Sequence, residues 1–535
     1  MLEDLGVSDV DPRLERPRET SHGDVATNVA MQLAGRLRQA PRTIAEDIAA
    51  RIDVPADVVT KVEIAGPGFI NFWLADSAVA DIVHTILARG SEFGRSAAGQ
   101  GRSVNVEFVS ANPTGPLHVG HGRGAALGDA IAAVLEATGH EVTREFYIND
   151  AGLQIDRMAE SLWARVQQEV GREARIPPNG YHGEYLVEMA REILASEGKQ
   201  FADQEASGGI ARCREIGVRG QREEQGRDLE AFGVAFDVYF SETSLYDGGA
   251  IEETLAELER RGVLYEHEGA LWLRTTRFGD DKDRVLRKSD GTYTYFTPDI
   301  AYHRTKAARG ANLAIDVWGA DHHGYINRMR AALTALGLPE GFFHVALVQL
   351  VRVMRHGEEV RFSKRSGEFV TLRDLFEQAG VDAARYFFLM RKGDAQFVFD
   401  IDLATRQTEE NPVYYVQYAH TRMAGIFRTA ALEPTRVTGQ DVDLSCLGES
   451  DEQELMKRLA EYPKVVEKSA ETLEPHRIIG YLEDVARLVN GWYHRHRVLG
   501  EDDALMQARL GLARAAQIVL ANGLTLLGIS APERM

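Results

Sequence analysis

The feature that most constrains the fold is the order of elements in residues 103–149. The alternating run SVNVEFVS (103–110) predicts a strand, and a Pro- and Gly-rich loop follows it. A helix is expected from about Gly120 to Thr138, and the run EVTREFYIN (141–149) predicts a second strand. Because strand, loop, helix and strand open a doubly wound parallel sheet, we expect a Rossmann-like α/β core.

The 535-residue length predicts several domains. Residues 1–98 are expected to form a small α+β domain, with a helix over 24–39 and strands around GFINFWL. Residues 99–380 should hold the core, with further strands at 311–319 and 344–353 and an insertion at about 155–290. In residues 381–535 apolar side chains recur at three- and four-residue spacing, which predicts an all-α domain.

The composition narrows the class of protein. A formal net charge of −20 argues against broad adhesion to nucleic acid, although it allows a specific complex. Two basic stretches, 303–330 and 352–365, are candidate phosphate sites, or else solvated surface. No apolar run reaches the roughly 20 residues that span a membrane, and the N-terminus lacks a secretory signal. Two cysteines exclude a disulfide framework, so we expect a reducing, cytoplasmic location.

The loop after the first strand carries two histidines, His118 and His121, at the expected start of the helix. Helix N-termini at this edge of a parallel sheet offer N–H groups to phosphate, and two imidazoles could stabilise charge that grows on phosphate oxygens. Gly120, Gly122 and Gly124 would allow close approach of a nucleotide. The alternative is that the histidines only cap the helix or pack.

Two other nucleotide-binding interpretations are weaker. Residues 120–125 also fit the dinucleotide pattern G-x-G-x-x-A, with Glu141 or Glu145 about 20 residues on. That pattern needs its glycines directly after the strand, whereas ANPTGPLHV intervenes here. No Walker A sequence occurs, which excludes a P-loop ATPase.

A second candidate phosphate site is the basic loop around Lys364, some 240 residues later. Lysine provides a mobile point charge, and the small neighbours Ser363, Ser366 and Gly367 would let the loop close over a ligand. Alone this loop is a weak signal; together with the histidine pair it is a strong one.

These two sites resemble those of the class I aminoacyl-tRNA synthetases. His118–His121 resembles their "HIGH" motif, and Phe362–Ser366 resembles their "KMSKS" loop, although Arg361 and Phe362 replace its Lys-Met. The surrounding sequence resembles the bacterial arginyl-tRNA synthetases over nearly the whole chain, in the blocks VEFVSANPTGPLHVGHGRG, REFYINDAGLQI, YFTPDIAYH, WGADHHGY, YVQYAHTRM and SHGDVATNVAMQLA. A further departure is His22, where some members carry an aromatic residue.

The resemblance implies an ATP-dependent ligase that joins L-arginine to tRNA(Arg) through an arginyl-adenylate. It implies Mg²⁺ bound with the nucleotide and no metal held by the protein, a monomer, and arginine activation that requires tRNA. The catalytic residues would be His118, His121 and Lys364. The ATP-binding residues would be Gly120, Gly122, Gly124, Ser363, Lys364 and Arg365, with Arg361 in support.

The resemblance also implies an arginine pocket. Asn112 would hold the α-amino group, with Ser110 and His118 nearby. Tyr295 and Asp299 would face the guanidinium, with Glu107 as a further acid and Asp321 or His322 completing the site. A fixed carboxylate would discriminate against lysine, whose ammonium cannot bond bidentately. The alternative for Asp299 is an ordinary helix cap.

For tRNA, the resemblance implies contacts in both outer domains. Phe69 and Asn71 would read a loop base at the outer corner of the tRNA, unless Phe69 is a core residue of its strand. Tyr414, Tyr418 and Arg422 share one helix face that would meet the anticodon, with Met535 nearby. The alternative is that this face packs between helices, or that Tyr415 takes the packing role.

Two other functions remain open from the sequence. A small-molecule nucleotidylyltransferase would share the histidine motif but would not need a helical C-terminal domain of about 150 residues. A tRNA-binding paralogue without activity is disfavoured because both histidines, Lys364 and the pocket acids are present.

Overall fold

The structure, a computed structural model, describes residues 7, 10, 12–17, 19–150, 152–360, 370–437 and 442–535. The predicted phosphate-binding residues Ser363, Lys364 and Arg365, together with Arg361, lie outside the described residues. No helix in the described ranges is long and apolar enough to cross a membrane.

The N-terminal unit is a three-stranded antiparallel sheet packed against two helices. Its elements are β1 (Val25–Thr27), α1 (Val29–Leu37), α2 (Pro41–Arg51), β2 (Val59–Ala65) and β3 (Phe69–Leu74), followed by α3 (Asp76–Arg89). The strand order is β1–β3–β2. The unit has its own core, which includes Val29, Leu33, Ile44, Ile48 and Ile70.

The helix predicted over 24–39 was wrong at its start. Val25 pairs with Phe72 of β3, so the segment begins as an edge strand and becomes helical only at Val29. The β-branched side chains of Val25 and Thr27 favour this extended backbone. The Thr27 hydroxyl oxygen then accepts a hydrogen bond from the Val29 N–H (3.2 Å), which helps the helix to begin there.

The central part of the chain forms a five-stranded parallel sheet with helices on its faces. Its elements are β4 (Ser103–Glu107), α4 (Val119–Ala137), β5 (Glu141–Ile148), α5 (Leu153–Glu169), α6 (Glu184–Glu197), α7 (Ala206–Ala231), β6 (Val238–Ser241), α8 (Thr243–Asp247), α9 (Ala250–Arg260), β7 (Leu264–His267), β8 (Ala270–Leu273), β9 (Arg284–Arg287), α10 (Phe296–Ala308), β10 (Leu313–Gly319), α11 (Ile326–Ala335) and β11 (Phe343–Val348). The strand order β11–β10–β4–β5–β6 confirms the predicted doubly wound, Rossmann-like core.

The predicted insertion at 155–290 is interrupted by a strand of the central sheet. Helices α5–α7 form a layer with a separate core, and β7–β9 form a small antiparallel sheet. Between them, β6 pairs with β5, for example Tyr239 with Phe146, and so completes the sheet. Four residues of strand are too short to show a period in the sequence, which is why β6 was missed.

The single strand predicted at 344–353 was also wrong. Strand β11 ends at Val348, and β12 (Val351–Arg355) belongs to another sheet, in which it lies between β13 (Glu358–Glu359) and β14 (Phe397–Asp400). The backbone leaves the central sheet at Gln349, whose N–H bonds the Gly393 carbonyl (2.9 Å) and whose carbonyl accepts from the Arg123 guanidinium (3.0 Å).

The C-terminal part is helical, which confirms the predicted all-α domain apart from β14, which pairs with β12. Its helices are α12 (Leu372–Ala379), α13 (Val381–Leu389), α14 (Ile401–Ala404), α15 (Pro412–Thr429), α16 (Ser450–Ala460), α17 (Tyr462–Thr472), α18 (His476–Arg495) and α19 (Asp503–Leu526). Helix α3 packs against α16 and α19 and shares their core. The domain boundaries at residues 98 and 380 stay predictions.

Arg385 joins the helical part to the central sheet layer. Its guanidinium is fully buried and donates to the Leu527 carbonyl at the end of α19 (3.0 Å), to the Phe232 carbonyl after α7 (3.2 Å) and to Asp129 of α4 (2.5 Å). One side chain thus joins three segments that are distant in sequence.

We expect Arg385→Met to destabilise the protein by about 3 kcal/mol, because the change leaves buried acceptors without donors. Thermal and urea unfolding of the variant would measure this effect. Arg391→Met, at an exposed neighbouring arginine, is the control and should unfold like the unmodified protein. Equal stability of the two variants would show that Arg385 does not hold these segments together.

Candidate active site at the ends of β4 and β10

A cavity of about 410 Å³ opens where β4 and β10 end, beside the first turn of α10. The chain leaves β4 toward β5 on one side and returns to β10 on the other, and this switch in direction leaves the crevice where α/β folds bind ligands. Five residues predicted for the arginine pocket line the cavity: Glu107, Ser110, Tyr295, Asp299 and His322.

Asp299 lies in the first turn of α10 with part of its surface open to the cavity. Its carboxylate accepts a hydrogen bond from the Tyr325 hydroxyl (2.7 Å) and does not cap the helix, whose N-cap is Tyr295. Desolvation by the surrounding protein raises the pKa of Asp299, against the opposing effect of the Tyr325 hydrogen bond. A desolvated carboxylate in a cavity favours binding of a cation.

Two aromatic side chains that sequence reasoning did not assign to the site also form the cavity wall. Trp318 and Tyr325 lie with ring centroids 5.9 Å apart, and both line the cavity. Both belong to the block WGADHHGY, which resembles the family, so the sequence did point to this segment. An aromatic residue type alone, however, does not distinguish a side chain that lines a ligand site from one that packs in the core.

A further carboxylate, that of Glu242, was missed. It is buried directly after β6, within electrostatic reach of Asp299. Burial raises the pKa of Glu242 to about 7, and the negative charge of Asp299 adds to the shift. Glu242 follows the end of a parallel strand, where ligand-binding residues are common. Its position could not be predicted from the sequence because β6 itself was not predicted.

Glu107 is held by a buried ammonium. Lys306 of α10 donates to Glu107 (2.6 Å) and to Asp316 of β10 (2.8 Å), and its side chain is fully buried. His303 lies 2.9 Å from the other oxygen of Asp316. Glu107, His303 and Asp316 could in principle surround a metal ion, but the Lys306 ammonium already supplies the cation between the two carboxylates.

Three of the five Arg and Lys side chains in the stretch 303–330 are paired with acids, and the phosphate site expected there stays a prediction. Besides Lys306, Arg304 pairs with Glu253 and Arg309 pairs with Glu145. The charges face acids from distant parts of the chain, which a linear reading of the sequence cannot show.

The turn after β4 has an unusual backbone. Val109 and Ser110 have φ angles of +68° and +38°, in the region that side chains with a Cβ rarely adopt. The Ser110 hydroxyl donates to Glu107 (2.9 Å) and accepts from the Tyr147 N–H (3.1 Å), which holds the turn. Strain of this kind is concentrated at ligand sites, where surrounding contacts maintain it.

His118 and His121 cap helix α4 reciprocally. Nδ1 of His118 accepts from the N–H groups of Gly120 (3.1 Å) and His121 (3.3 Å), and Nδ1 of His121 accepts from the His118 N–H (3.2 Å). The rings stack with centroids 3.7 Å apart. Because Nδ1 is the acceptor in each ring, the proton of the neutral imidazole lies on Nε2, the nitrogen that would donate to a phosphate. Capping and phosphate binding are therefore compatible.

The predicted glycines have different structural reasons. A Cβ at Gly122 would lie 2.5 Å from Leu372, and one at Gly120 would lie 2.9 Å from the His118 ring. A Cβ at Gly124 would meet nothing within 4 Å. Gly122 thus permits close packing of α4 on α12, and its proposed contact with ATP needs separate support.

Three predicted pocket residues do not line the cavity. The Asn112 amide donates to Gln154 (2.7 Å), and His118 serves as the cap of α4. Asp321 points to solvent from the turn Ala320–Tyr325, with its side chain 78% exposed. The resemblance supplied these residue types, but their orientation depends on contacts outside the motifs.

Comparisons with known proteins show which family the chain belongs to. The family model "tRNA synthetases class I (R), catalytic domain" matches residues 82–419, "Arginyl tRNA synthetase N terminal domain" matches 1–74, and "DALR anticodon binding domain" matches 416–535. The arginine–tRNA ligase of Geotalea daltonii is 50% identical and that of Halalkalibacterium halodurans 47% identical, each match covering 98% of this chain and 94% of the relative. The chain belongs to the arginyl-tRNA synthetases.

The fold leads to the same family. The solved arginyl-tRNA synthetase of Thermus thermophilus superposes with a TM-score of 0.78 at 26% identity, covering 100% of this chain and 98% of that one. The synthetase is an enzyme that joins arginine to tRNA with consumption of ATP. This assignment excludes the two other functions that the sequence left open, a small-molecule nucleotidylyltransferase and an inactive tRNA-binding paralogue.

The residues predicted to read the outer corner of the tRNA lie together in the N-terminal unit. Phe69 is 40% exposed and is not a core residue, whereas Asn71 is only 3% exposed. Both line a cavity of about 570 Å³ that His22 also lines. An exposed ring beside an amide is a suitable surface for an unstacked base.

The residues predicted to meet the anticodon form one aromatic and basic surface on α15. The rings of Tyr414 and Tyr418 stack at 5.7 Å, and the Arg422 guanidinium lies over Tyr418 at 4.5 Å. Tyr415 instead packs against the core, as the alternative proposed. Met535 is exposed at the end of the chain.

The raised pKa of Glu242 predicts a pH dependence of stability. Its pKa is about 7 in the folded synthetase and near 4.5 when unfolded, so the folded state holds the proton more tightly. Stability should fall by roughly 2 kcal/mol as the pH rises from 5 to 8, and Glu242→Gln should lose this part of the dependence. Melting temperatures at both pH values would measure it.

Glu259→Gln, at an exposed glutamate on the neighbouring helix α9, is the control. A melting-temperature difference between Glu242→Gln and the unmodified enzyme that stays constant from pH 5 to pH 8 would contradict the assignment.

Proposed function

We propose that the cavity at the ends of β4 and β10 is the arginine site and that the capped start of α4 binds the ATP phosphates. The observation that carries the proposal is the position of the stacked His118–His121 pair at the start of α4, where the loop that continues from the cavity wall at Ser110 ends. Amino acid and nucleotide must lie side by side for the arginine carboxylate to attack the α-phosphorus.

In the arginine pocket, Asp299 and Tyr295 receive the guanidinium, and Glu107, Ser110 and His322 complete the walls. Tyr325 fixes the Asp299 carboxylate through its hydrogen bond, so that both carboxylate oxygens keep a defined direction toward a planar donor. Asn112 holds the α-amino group, and Asp321 is a further candidate. These two would have to turn toward the ligand, because neither lines the cavity without it.

At the phosphates, His118 and His121 donate from Nε2, and Mg²⁺ accompanies the nucleotide. Gly120, Gly122 and Gly124 bring the α4 backbone close to ATP. Lys364, with Ser363 and Arg365, is assigned from the resemblance alone. Thr371 follows these residues in the sequence and pairs with His118 in an antiparallel bridge. The part of the chain that comes after Lys364 therefore lies directly beside the histidines.

For the second substrate, Phe69 and Asn71 read a base of the tRNA corner, and Tyr414, Tyr418 and Arg422 with Met535 receive the anticodon of tRNA(Arg). The enzyme acts as a monomer in the cytoplasm, with domains 1–98, 99–380 and 381–535. Amino-acid-dependent ATP–pyrophosphate exchange with and without tRNA tests the substrate assignments: exchange with arginine only in the presence of tRNA is expected.

Asp299→Asn should raise the arginine KM by roughly tenfold or more with little change in the ATP KM, because the guanidinium loses a charge-assisted partner. Steady-state aminoacylation with each substrate varied would measure this. Asp290→Asn, at an exposed acid nine residues earlier, is the control. An unchanged arginine KM in Asp299→Asn would remove the residue from the pocket.

His121→Ala should lower kcat by roughly tenfold to a thousandfold, as expected for loss of one preorganised donor. Two further variants separate donation from capping. His121→Asn keeps an acceptor near Nδ1 but has no donor at Nε2, whereas His121→Gln places a donor near Nε2 and disturbs the cap. The single-turnover rate of His121→Asn should fall as far as that of His121→Ala, and the rate of His121→Gln should fall less. A higher rate in His121→Asn than in His121→Gln would show that His121 acts only as a cap.

A further inference from the structure

We infer that Lys306, which does not itself line the cavity, is a positioning residue that sets the charge of the arginine pocket by compensating Glu107 and Asp316 from behind. The inference rests on the proposed arginine site. It concerns a residue that no substrate atom is expected to touch.

The sheet itself places the two carboxylates side by side. Glu107 and Asp316 are register partners in neighbouring parallel strands, and both line the cavity. The Lys306 ammonium bonds to one oxygen of each, at 2.6 and 2.8 Å, and is fully buried. It also lies 4.4 Å from the centre of the Tyr302 ring. Two acids and one internal cation thus form the floor of the pocket.

The same helix connects this floor to the guanidinium ligand. Asp299, His303 and Lys306 follow at intervals of four and three residues and so share one face of α10. Nδ1 of His303 lies 2.8 Å from the Asp299 carbonyl oxygen, and its Nε2 lies 2.9 Å from Asp316. Displacement of Asp316 would therefore disturb Asp299 through His303.

The charges around the pair decide what removal of the ammonium would do. The groups that face Glu107 and Asp316 are Ser110 from the turn after β4, Glu145 and Tyr147 from β5, Asp299, Tyr302, His303 and Lys306 from α10, and Arg309 directly after α10. Burial raises the pKa of Glu107, and Asp316 raises it further, while Lys306 opposes both effects. Without Lys306, two adjacent buried carboxylates would have to share a proton.

A shared proton changes arginine binding in a pH-dependent way. With the shared proton the floor of Lys306→Met has a net charge of −1, the same as that of two carboxylates and one ammonium in the unmodified enzyme, so the higher arginine KM comes from displacement of Asp316, which disturbs Asp299 through His303. As the pH rises and the proton leaves, the net charge becomes −2, the floor attracts the guanidinium more strongly, and part of the loss is reversed. A role of Lys306 in packing alone would lower stability or activity to the same extent at every pH. The pH profile of arginine binding therefore separates the two roles.

The test is Lys306→Met in the full-length enzyme, assayed by aminoacylation from pH 6.5 to 8.5. We expect the arginine KM at pH 7 to exceed that of the unmodified enzyme by tenfold or more, and this ratio to fall at least threefold by pH 8.5. The ATP KM should stay within twofold. Lys306→Arg, which keeps a cation, should show a pH-independent ratio and a smaller increase.

Arg304→Gln is the matched control, since Arg304 is a cation of the same helix that pairs with Glu253 and does not line the cavity. Its arginine KM ratio should be independent of pH. If Lys306→Met does not fold, the double variant Lys306→Met/Asp316→Asn decides, because it removes one charge of each sign. A pH-independent ratio within about fivefold of the unmodified enzyme supports the inference, and a pH-dependent ratio overturns it.

Two other results would overturn the inference: an arginine KM in Lys306→Met within twofold of the unmodified enzyme at every pH, or equal, pH-independent increases in the KM values of arginine and ATP. Failure of the arginine site itself is recognised separately, because Asp299→Asn would then leave the arginine KM unchanged.

Discussion

The ion cluster formed by Glu107, Lys306 and Asp316 connects the fold to the site. Parallel pairing of β4 with β10 places two acids next to each other at the strand ends, and such a pair can stay ionised in the interior only with a cation between them. Helix α10 supplies that cation from its third turn. The same ion pairs that allow β4 and β10 to lie side by side also fix the rotation of α10 about its axis. This rotation directs Asp299 and Tyr295 into the cavity.

The start of α4 combines stability and function in another way. A helix N-terminus needs side chains to satisfy its first N–H groups, and His118 and His121 do this with Nδ1. The capping fixes both the tautomer and the orientation of the rings, which a phosphate-binding donor also requires. The turn at Val109 and Ser110 leads the chain from the sheet into this cap at some cost in backbone strain, which hydrogen bonds to Glu107 and Tyr147 offset.

Elements that are formed by local interactions could be predicted from the sequence, whereas those that depend on distant interactions could not. The β4–α4–β5 unit and the C-terminal helices were predictable because their periods are local. Strand β6 and the break between β11 and β12 were not, since both depend on which distant strand is the partner. The resemblance supplied Asp299 and Tyr295 as residue types. It could not show that Lys306, which belongs to a basic stretch of the sequence, lies buried against an acid 199 positions earlier, or that Glu242 lies within electrostatic reach of Asp299.

In the arginine pocket that we propose, the raised pKa of Asp299, with Glu242 nearby, would contribute to selection of a cationic substrate. A carboxylate that burial has deprived of water gains more from an incoming cation than a solvated one does, so the cost of desolvation is partly recovered when arginine binds. A neutral amino acid recovers none of it. Lysine recovers the charge term, but its ammonium cannot span two oxygens in one plane as a guanidinium can. Because Tyr325 holds the Asp299 carboxylate in one orientation, that difference in geometry becomes a difference in binding free energy.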